Sequence, residues 1–205
     1  SNLDTKPLGD PKLIKFTTGR RRKQWYKNVV AVGLSSGFLE PLESTSIHLI
    51  QSAIVRLIQL FPHNGFAPSL ETEYNKQSEL EFEQIRDFLV LHYTVNERTD
   101  SAFFNDMRNI TLPDSLAHKI ALFKESGNLL REQNDLFLES SWLQVLYGQG
   151  ITPKDYHGLV NSVPEVQLNQ MLTRLLEIKK EPIAKLPTHD EYINGMVAKY
   201  KRAMS

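Results

Sequence analysis

The residues best suited to chemistry lie between Gly33 and Ile47, in the stretch GLSSGFLEPLESTSI. A short apolar run, Asn28–Val32, enters a loop with Gly33 and Gly37 near its ends, and a helix is expected to open near Glu43. The start of a helix offers backbone N–H groups without intrahelical partners and about half a positive charge from the aligned peptide dipoles. Thr45 and Ser46 would present two such N–H groups to an anion. Glu43, just before them, sets a carboxylate beside that anion-attracting point. The commoner arrangement of these residue types is structural: Ser44 or Thr45 caps the helix and Glu43 complements its dipole.

Other chemistry-bearing residues are weaker candidates. The six histidines (His48, His63, His92, His118, His157 and His189) form no His-x-x-x-His or His-Glu-x-x-His pattern, so no metal site is expected. His48 lies near the loop but off the apolar stripe of its helix, which favours a wet surface position. Arg20–Lys23 is one short basic run in a neutral chain and reads as a solvated turn. Trp142 and Leu143, with Leu146 and Tyr147, could line a substrate pocket. An aromatic at helical spacing is more often core. No Gly-x-Gly-x-x-Gly occurs, and Gly148-Gln149-Gly150 reads as a turn.

The elements that must carry these residues are mostly helical. Residues 1–11 hold Pro7, Gly9 and Pro11 and read as a lead-in loop. Lys12–Thr18 and Asn28–Val32 read as two strands able to pair. Ile47, Ile50, Ile54, Leu57, Ile58 and Phe61 recur at spacings of three and four and predict one amphipathic helix with that stripe inward. A second helix is expected over Leu70–Val95, a short one around Phe103–Met107, and another from Pro113-Asp114 to Gly127 with Leu116, Ile120 and Phe123 inward. A short helix over Ser141–Leu146 follows. Two capping boxes, Ser162–Glu165 and Thr188–Glu191, each announce a terminal helix. In the last, Tyr192, Met196, Val197 and Tyr200 make a packing stripe. Two strands are marginal alone, so they read as the end of a sheet whose other strands lie upstream, and the chain as a piece of something longer.

Composition bounds the rest. In 205 residues, 24 Lys and Arg balance 24 Asp and Glu, which argues against a dedicated nucleic-acid binder. With 40% hydrophobic residues the chain can bury a core. It has no cysteine, which excludes disulfides, thiolate metal sites and thiol nucleophiles. No run of about 18 apolar residues is present, so no membrane span is expected, and a cytoplasmic location is the expectation.

Asn28–Gln51 closely resembles the flavin-dependent tryptophan halogenase family, whose signature is close to Gly37-Phe38-Leu39-Glu40-Pro41-Leu42-Glu43-Ser44-Thr45. The resemblance continues through Leu91-His92-Tyr93, Asn96-Glu97-Arg98-Thr99-Asp100, Pro113–Leu116, Ser141–Gly150 and Leu186–His189. It implies a mainly α chain: the helical C-terminal part of an α+β FAD-dependent monooxygenase/halogenase fold. Residues 1–42 would end the FAD-binding domain with the halide and flavin loop, residues 43–205 would form a helical substrate-side domain, and the rest of the FAD-binding part would be absent. In that family reduced FAD, supplied by a separate reductase, and O2 oxidise chloride or bromide. Hypohalous acid passes through a tunnel to a second pocket, where a lysine and a glutamate direct halogenation of an indole ring. The resemblance makes Glu43 that glutamate. It places the halide on the amides of Thr45 and Ser46, and flavin contacts at Leu34 and Ile47. Glu43 would stabilise positive charge developing on the ring or accept its proton.

Two positions depart from the family. The second halide position is glycine in the well-known members and Ser46 here. Tryptophan-specific members carry a tyrosine pair shortly before a Gly-x-Gly turn, where Trp142-Leu143 stand, and this weakens the case for free tryptophan as the aromatic substrate. The nucleotide-binding glycines, a Trp-x-Trp-x-Ile-Pro motif and the lysine belong upstream. Two other readings stay open: a flavin monooxygenase-like protein without halide use, and a non-catalytic helical interaction module.

Overall fold

A 27-residue helix, α2 (Pro68–Thr94), is the axis on which the other elements of its unit are arranged. Pro68 opens it with a preset φ and no amide to leave unpaired. The computed structural model describes residues 9–132 and 135–204, so most of the lead-in loop at residues 1–11 lies outside the described residues. The chain divides into two units, Ser1–Asp155 and Tyr156–Ser205.

In the first unit the order is β1 (Gly19–Arg20), β2 (Trp25–Tyr26), β3 (Val29–Val30), a short 3-10 turn Gly33–Ser35 and β4 (Gly37–Phe38). A second 3-10 turn (Leu42–Ser44), α1 (Ser46–Gln59), α2, α3 (Ala102–Arg108), α4 (Asp114–Ser126) and α5 (Glu139–Gly148) follow. The helices fall where the apolar spacing places them. The strands do not. Lys12–Thr18 forms no strand, and Asn28–Val32 contributes only Val29–Val30. Its partner is β2, two residues upstream, with Trp25 opposite Val30 and Tyr26 opposite Val29. A two-residue turn costs little closure entropy, so the near partner wins over the distant one. Lys27 takes φ 56° in that turn. β1 instead pairs antiparallel with β4, Arg20 opposite Gly37. A side chain at Gly37 would meet Gly19 O at 2.8 Å and Phe82 at 2.9 Å, so this crossing requires glycine.

The hairpin is fastened to α2 by one residue. Asn75 Oδ1 accepts from the amides of Gln24 and Trp25 at 2.7 and 2.9 Å, and its Nδ2 donates to Trp25 O at 2.8 Å. Trp25 is buried edge-on to Tyr74. The basic run is solvent-exposed at Arg21, Arg22 and Lys23, and two of its members also pair with α2: Arg20 with Glu79, and Lys23 Nζ 3.0 Å from Glu71.

Two apolar clusters flank α2. Phe88 and Leu91 meet Leu116, Ile120 and Phe123 of α4 and Trp142 and Leu146 of α5. Phe82, Ile85 and Leu89 meet Leu49 of α1. Gly127 ends α4 at φ 67°, the left-handed position glycine favours.

α1 turns a different face inward from the expected one. Leu49, Ala53 and Arg56 are buried, whereas Ile47, Ile54, Ile58 and Phe61 are exposed. The cause is polar. Arg56 reaches into α2, where Nη1 donates to Ser78 Oγ at 2.8 Å, Nη2 to Glu81 Oε2 at 2.8 Å and Nε to Gln77 Oε1 at 3.3 Å. A guanidinium with several acceptors adds geometric specificity to this buried face.

The second unit holds a 3-10 turn (Gly158–Ser162), α6 (Glu165–Lys185) and α7 (His189–Met204). The Thr188 capping box forms: the Glu191 amide donates to Thr188 Oγ1 at 3.3 Å, and the Thr188 amide donates to Glu191 Oε2 at 2.8 Å. The Ser162 box does not, because Ser162 Oγ donates to Leu159 O and Pro164 occupies the cap position of α6. Neither helix buries a residue, and the expected packing stripe Tyr192, Met196, Val197 and Tyr200 is exposed.

Candidate active-site loop

The loop from Gly33 to Thr45 is held at the junction of α1 and α2, and its backbone is strained where the chemistry would be. Glu43 has φ 63° and Ser44 φ 50°, two consecutive left-handed residues that are not glycine. Such conformations cost on the order of 1–3 kcal/mol each and persist only where the surroundings impose them. They also explain why α1 opens at Ser46 rather than near Glu43.

The helix opens without a side-chain cap. Thr45 occupies the cap position, is buried, and makes no capping hydrogen bond. The expected structural role of Ser44 or Thr45 is therefore not realised, and the first-turn amides from Ser46 onward are left without that partner. Ser46 is exposed and lines a small cavity of about 50 Å³ together with Gly33, Leu34, Leu39 and Ile50. That is room for a water-sized ion, which needs about 10–15 Å³ of such space. Leu34 and Ile47 are 77% and 70% exposed. The structure thus gathers four of the expected residues, Leu34, Thr45, Ser46 and Ile47, at one loop–helix junction, with Glu43 beside them.

Two carboxylates of the loop meet two adjacent residues of α2. Glu43 Oε1 lies 3.2 Å from His92 Nε2. Tyr93 donates its hydroxyl to Glu40 Oε2 at 2.7 Å, while Glu40 Oε1 accepts from the Leu42 amide at 3.1 Å. Burial, and then the bond to Glu40, push the Tyr93 phenol up to about 12. Sequence reasoning assigned no role to Glu40, His92 or Tyr93. The available signal was a pair of carboxylates three residues apart and a polar ring pair closing a long helix.

His48 keeps a partly wet position, its side chain 39% exposed, but it is also paired. Its Nε2 is 3.1 Å from Glu81 Oε1, beside Arg56, at the edge of a polar groove of about 400 Å³ that also includes Ser52, Gln77 and Asp135. Burial raises the Asp135 carboxyl, an effect opposed by Lys119 at 3.6 Å.

The structure does not bring Trp142 to the loop surface. Trp142 is 3% exposed, packs against Phe88 at 4.9 Å between ring centroids, and carries Lys119 Nζ 4.2 Å above its ring. Its indole N–H has no partner among the described residues. Leu143, next to it on α5, is 46% exposed. The Asn96–Asp100 segment is structural: Arg98 pairs with Asp100 at 2.5 Å and stacks on Phe104 at 4.1 Å, and Arg108 donates to Arg98 O at 2.5 Å. Among the described residues no group of three or more histidines and carboxylates could hold a metal ion, and no helix is long and apolar enough to cross a membrane.

The family model for tryptophan halogenases matches residues 1–165. The fold matches that of Xcc4156, a flavin-dependent halogenase from Xanthomonas campestris, with a TM-score of 0.87 and 44% identity over 94% of this chain and 39% of that one. It matches BrvH, a flavin-dependent halogenase from Brevundimonas sp. BAL3, with a TM-score of 0.84 and 41% identity, over 92% and 38%. Tryptophan 7-halogenase RebH of Lentzea aerocolonigenes is 27% identical over 207 residues, 93% of this chain and 38% of its own length. The chain therefore spans about two fifths of the length of these relatives.

Proposed function

The chain belongs to the tryptophan halogenase family, and from that premise we propose that it is the mainly helical part of an FAD-dependent halogenase. That enzyme would place chlorine or bromine on an electron-rich aromatic ring, an indole or tryptophan-like compound. Residues 1–42 would close the FAD-binding part, and residues 43–205 would form the substrate side. The observation that carries this reading is the strained Glu43–Ser44 turn leading into a helix with no side-chain cap.

The loop fits a halide and one face of a flavin. An anion at a helix start is held by amides and dipole without a cationic side chain, and the Thr45 and Ser46 amides would supply them. Leu34 and Ile47 are exposed enough to touch a flat apolar ring system. The remaining grip on the dinucleotide, a glycine-rich turn with its helix, is not encoded between Ser1 and Ser205. Bound reduced FAD, delivered by a separate flavin reductase, would with O2 supply the oxidation of halide to hypohalous acid.

This chain's own contribution is electrostatic and geometric. Glu43 would face the aromatic substrate, stabilise the positive charge that develops as the ring is halogenated, and take up the proton the ring then loses. Its side chain is 39% exposed, so a substrate can reach it. Trp142 and Leu143 would act on the substrate side, Trp142 by setting the aromatic cluster behind the pocket.

The test is Glu43→Gln in a full-length halogenase carrying this sequence. Halogenation should fall by about 10²-fold or more, with FAD affinity unchanged. Wild-type turnover by that variant would refute the reading.

A further inference from the structure

Glu40 and Glu43 are three residues apart in the loop, and His92 and Tyr93 are neighbours at the C-terminal end of α2. The pairs meet crosswise: His92 with Glu43, Tyr93 with Glu40. Glu40 binds the helix through Tyr93 and the turn through the Leu42 amide, so it ties α2 to the residue just before Glu43.

Both ring nitrogens of His92 have a neighbour within reach. Its Nδ1 lies 2.8 Å from the Phe88 carbonyl oxygen. A carbonyl can only accept, so Nδ1 carries a hydrogen. The His92 Nε2 lies 3.2 Å from Glu43 Oε1, within ion-pair reach of the carboxylate. The ring itself cannot swing easily, because it packs edge-on against buried Phe88 at 4.7 Å between centroids. Phe88 in turn stacks on Phe137 at 3.9 Å.

We propose that His92 and Tyr93 are the positioning residues of Glu43: His92 orients the carboxylate through Nε2, and Tyr93 holds the turn through Glu40. The inference rests on the reading of Glu43 given above. A glutamate has three side-chain torsions, and this one stands on a left-handed backbone at an exposed turn. Without an outside contact nothing in the loop selects one rotamer. His92 supplies that contact from a rigid helix, and the Glu40 strut fixes the height of the turn. Misplacing a reacting group by about 1 Å is worth on the order of 10²-fold in rate, so the clamp is read in turnover rather than in substrate affinity.

The test uses a full-length halogenase carrying this sequence, with His92→Phe, His92→Gln and Tyr93→Phe made beside Glu43→Gln. His92→Phe should lower kcat by about 10²-fold while KM for the aromatic substrate stays within about twofold. His92→Gln keeps an N–H donor toward Glu43 and should recover about tenfold of that loss. Tyr93→Phe should lower kcat by about tenfold, again without a matching change in KM. Equal losses in His92→Phe and His92→Gln, tracking a lowered Tm, would make His92 a packing residue and overturn the inference. So would wild-type kcat in His92→Phe. If Glu43→Gln is inactive in that case, the reading of Glu43 stands and only the clamp falls. A second measurement does not depend on turnover. In protein labelled with 15N-histidine, Glu43→Gln should move the ring-nitrogen resonances of His92 and leave those of His63 and His118 in place. Unmoved His92 resonances would overturn the clamp whatever the activity.

Discussion

Among the described residues, two carboxylate–histidine contacts have almost equal length but very different surroundings. Glu81 meets His48 at 3.1 Å and Glu43 meets His92 at 3.2 Å. Glu81 sits on the regular helix α2, is buried, and also accepts from Arg56 at 2.8 Å. Its charge is matched and its backbone relaxed. Glu43 sits on a left-handed residue, is exposed, and among the described residues its ion-pair contact is His92 alone. The first arrangement is what a buried charge needs in order to exist at all. The second holds an exposed carboxylate with a single ion-pair neighbour on a strained backbone, a cost that persists only where the surroundings impose it. On the proposed function, that difference would mark Glu81 as scaffold and Glu43 as part of the reaction centre.

Breaking the buried set should have the largest effect on stability. Arg56→Met leaves Glu81 buried with only His48 and should cost about 3–5 kcal/mol, seen as a large drop in the urea midpoint. A small change would mean that Glu81 is better solvated than its burial implies. Losing the strut should cost less. Tyr93→Phe removes a hydrogen bond to a charged acceptor, a loss of about 1.5–3 kcal/mol. Its pH dependence has a definite sign. The folded phenol is raised from an ordinary 10 to about 12, so the wild-type advantage is complete below 10 and disappears as pH rises through that window. Alkaline unfolding curves of the two proteins that stay parallel from pH 9 to pH 12 would contradict it.

Relieving strain should act in the opposite direction. Ser44→Gly removes the left-handed penalty at φ 50° and should stabilise by about 0.5–1 kcal/mol. A loss of stability there would show that the turn is not strained. The smallest effect belongs to Asp135, a third acidic group of intermediate character. Burial raises its carboxyl more than Lys119 lowers it, so folding penalises the ionised form relative to the unfolded chain. Asp135→Asn should therefore be the more stable protein at pH 8, and the gap should close as pH falls into the ordinary carboxylate range. Thermal melts at the two ends of that range decide it.

Much of this was legible in the residues. The spacing of Leu116, Ile120 and Phe123 and the position of Gly127 place α4 almost to the residue, because helix period and a C-terminal glycine are local properties. The loop was legible as a motif for the same reason. The rotation of α1 was not, since its apolar stripe outvotes Arg56 on any hydrophobicity argument, and only the acceptors Gln77, Ser78 and Glu81 on another helix reverse the outcome. The strand pairing failed for the converse reason: β2 is two residues long and has no periodicity to read. His92 and Tyr93 were placed on a helix correctly, but their partners lie 49 and 53 residues away, a separation that no local pattern encodes.

The central claim is that the start of α1 and the turn before it form the halide and reaction centre. A bromide soak of crystals of a full-length halogenase carrying this sequence, measured at the bromine absorption edge, tests it most directly. An anomalous peak should lie within hydrogen-bonding distance of the Thr45 and Ser46 amides, about 3.2–3.5 Å allowing for the larger ion. It should survive Ser46→Gly and vanish in Ser46→Pro, which removes one donor. Bromide bound only elsewhere, or a peak at this loop unaffected by Ser46→Pro, would contradict it.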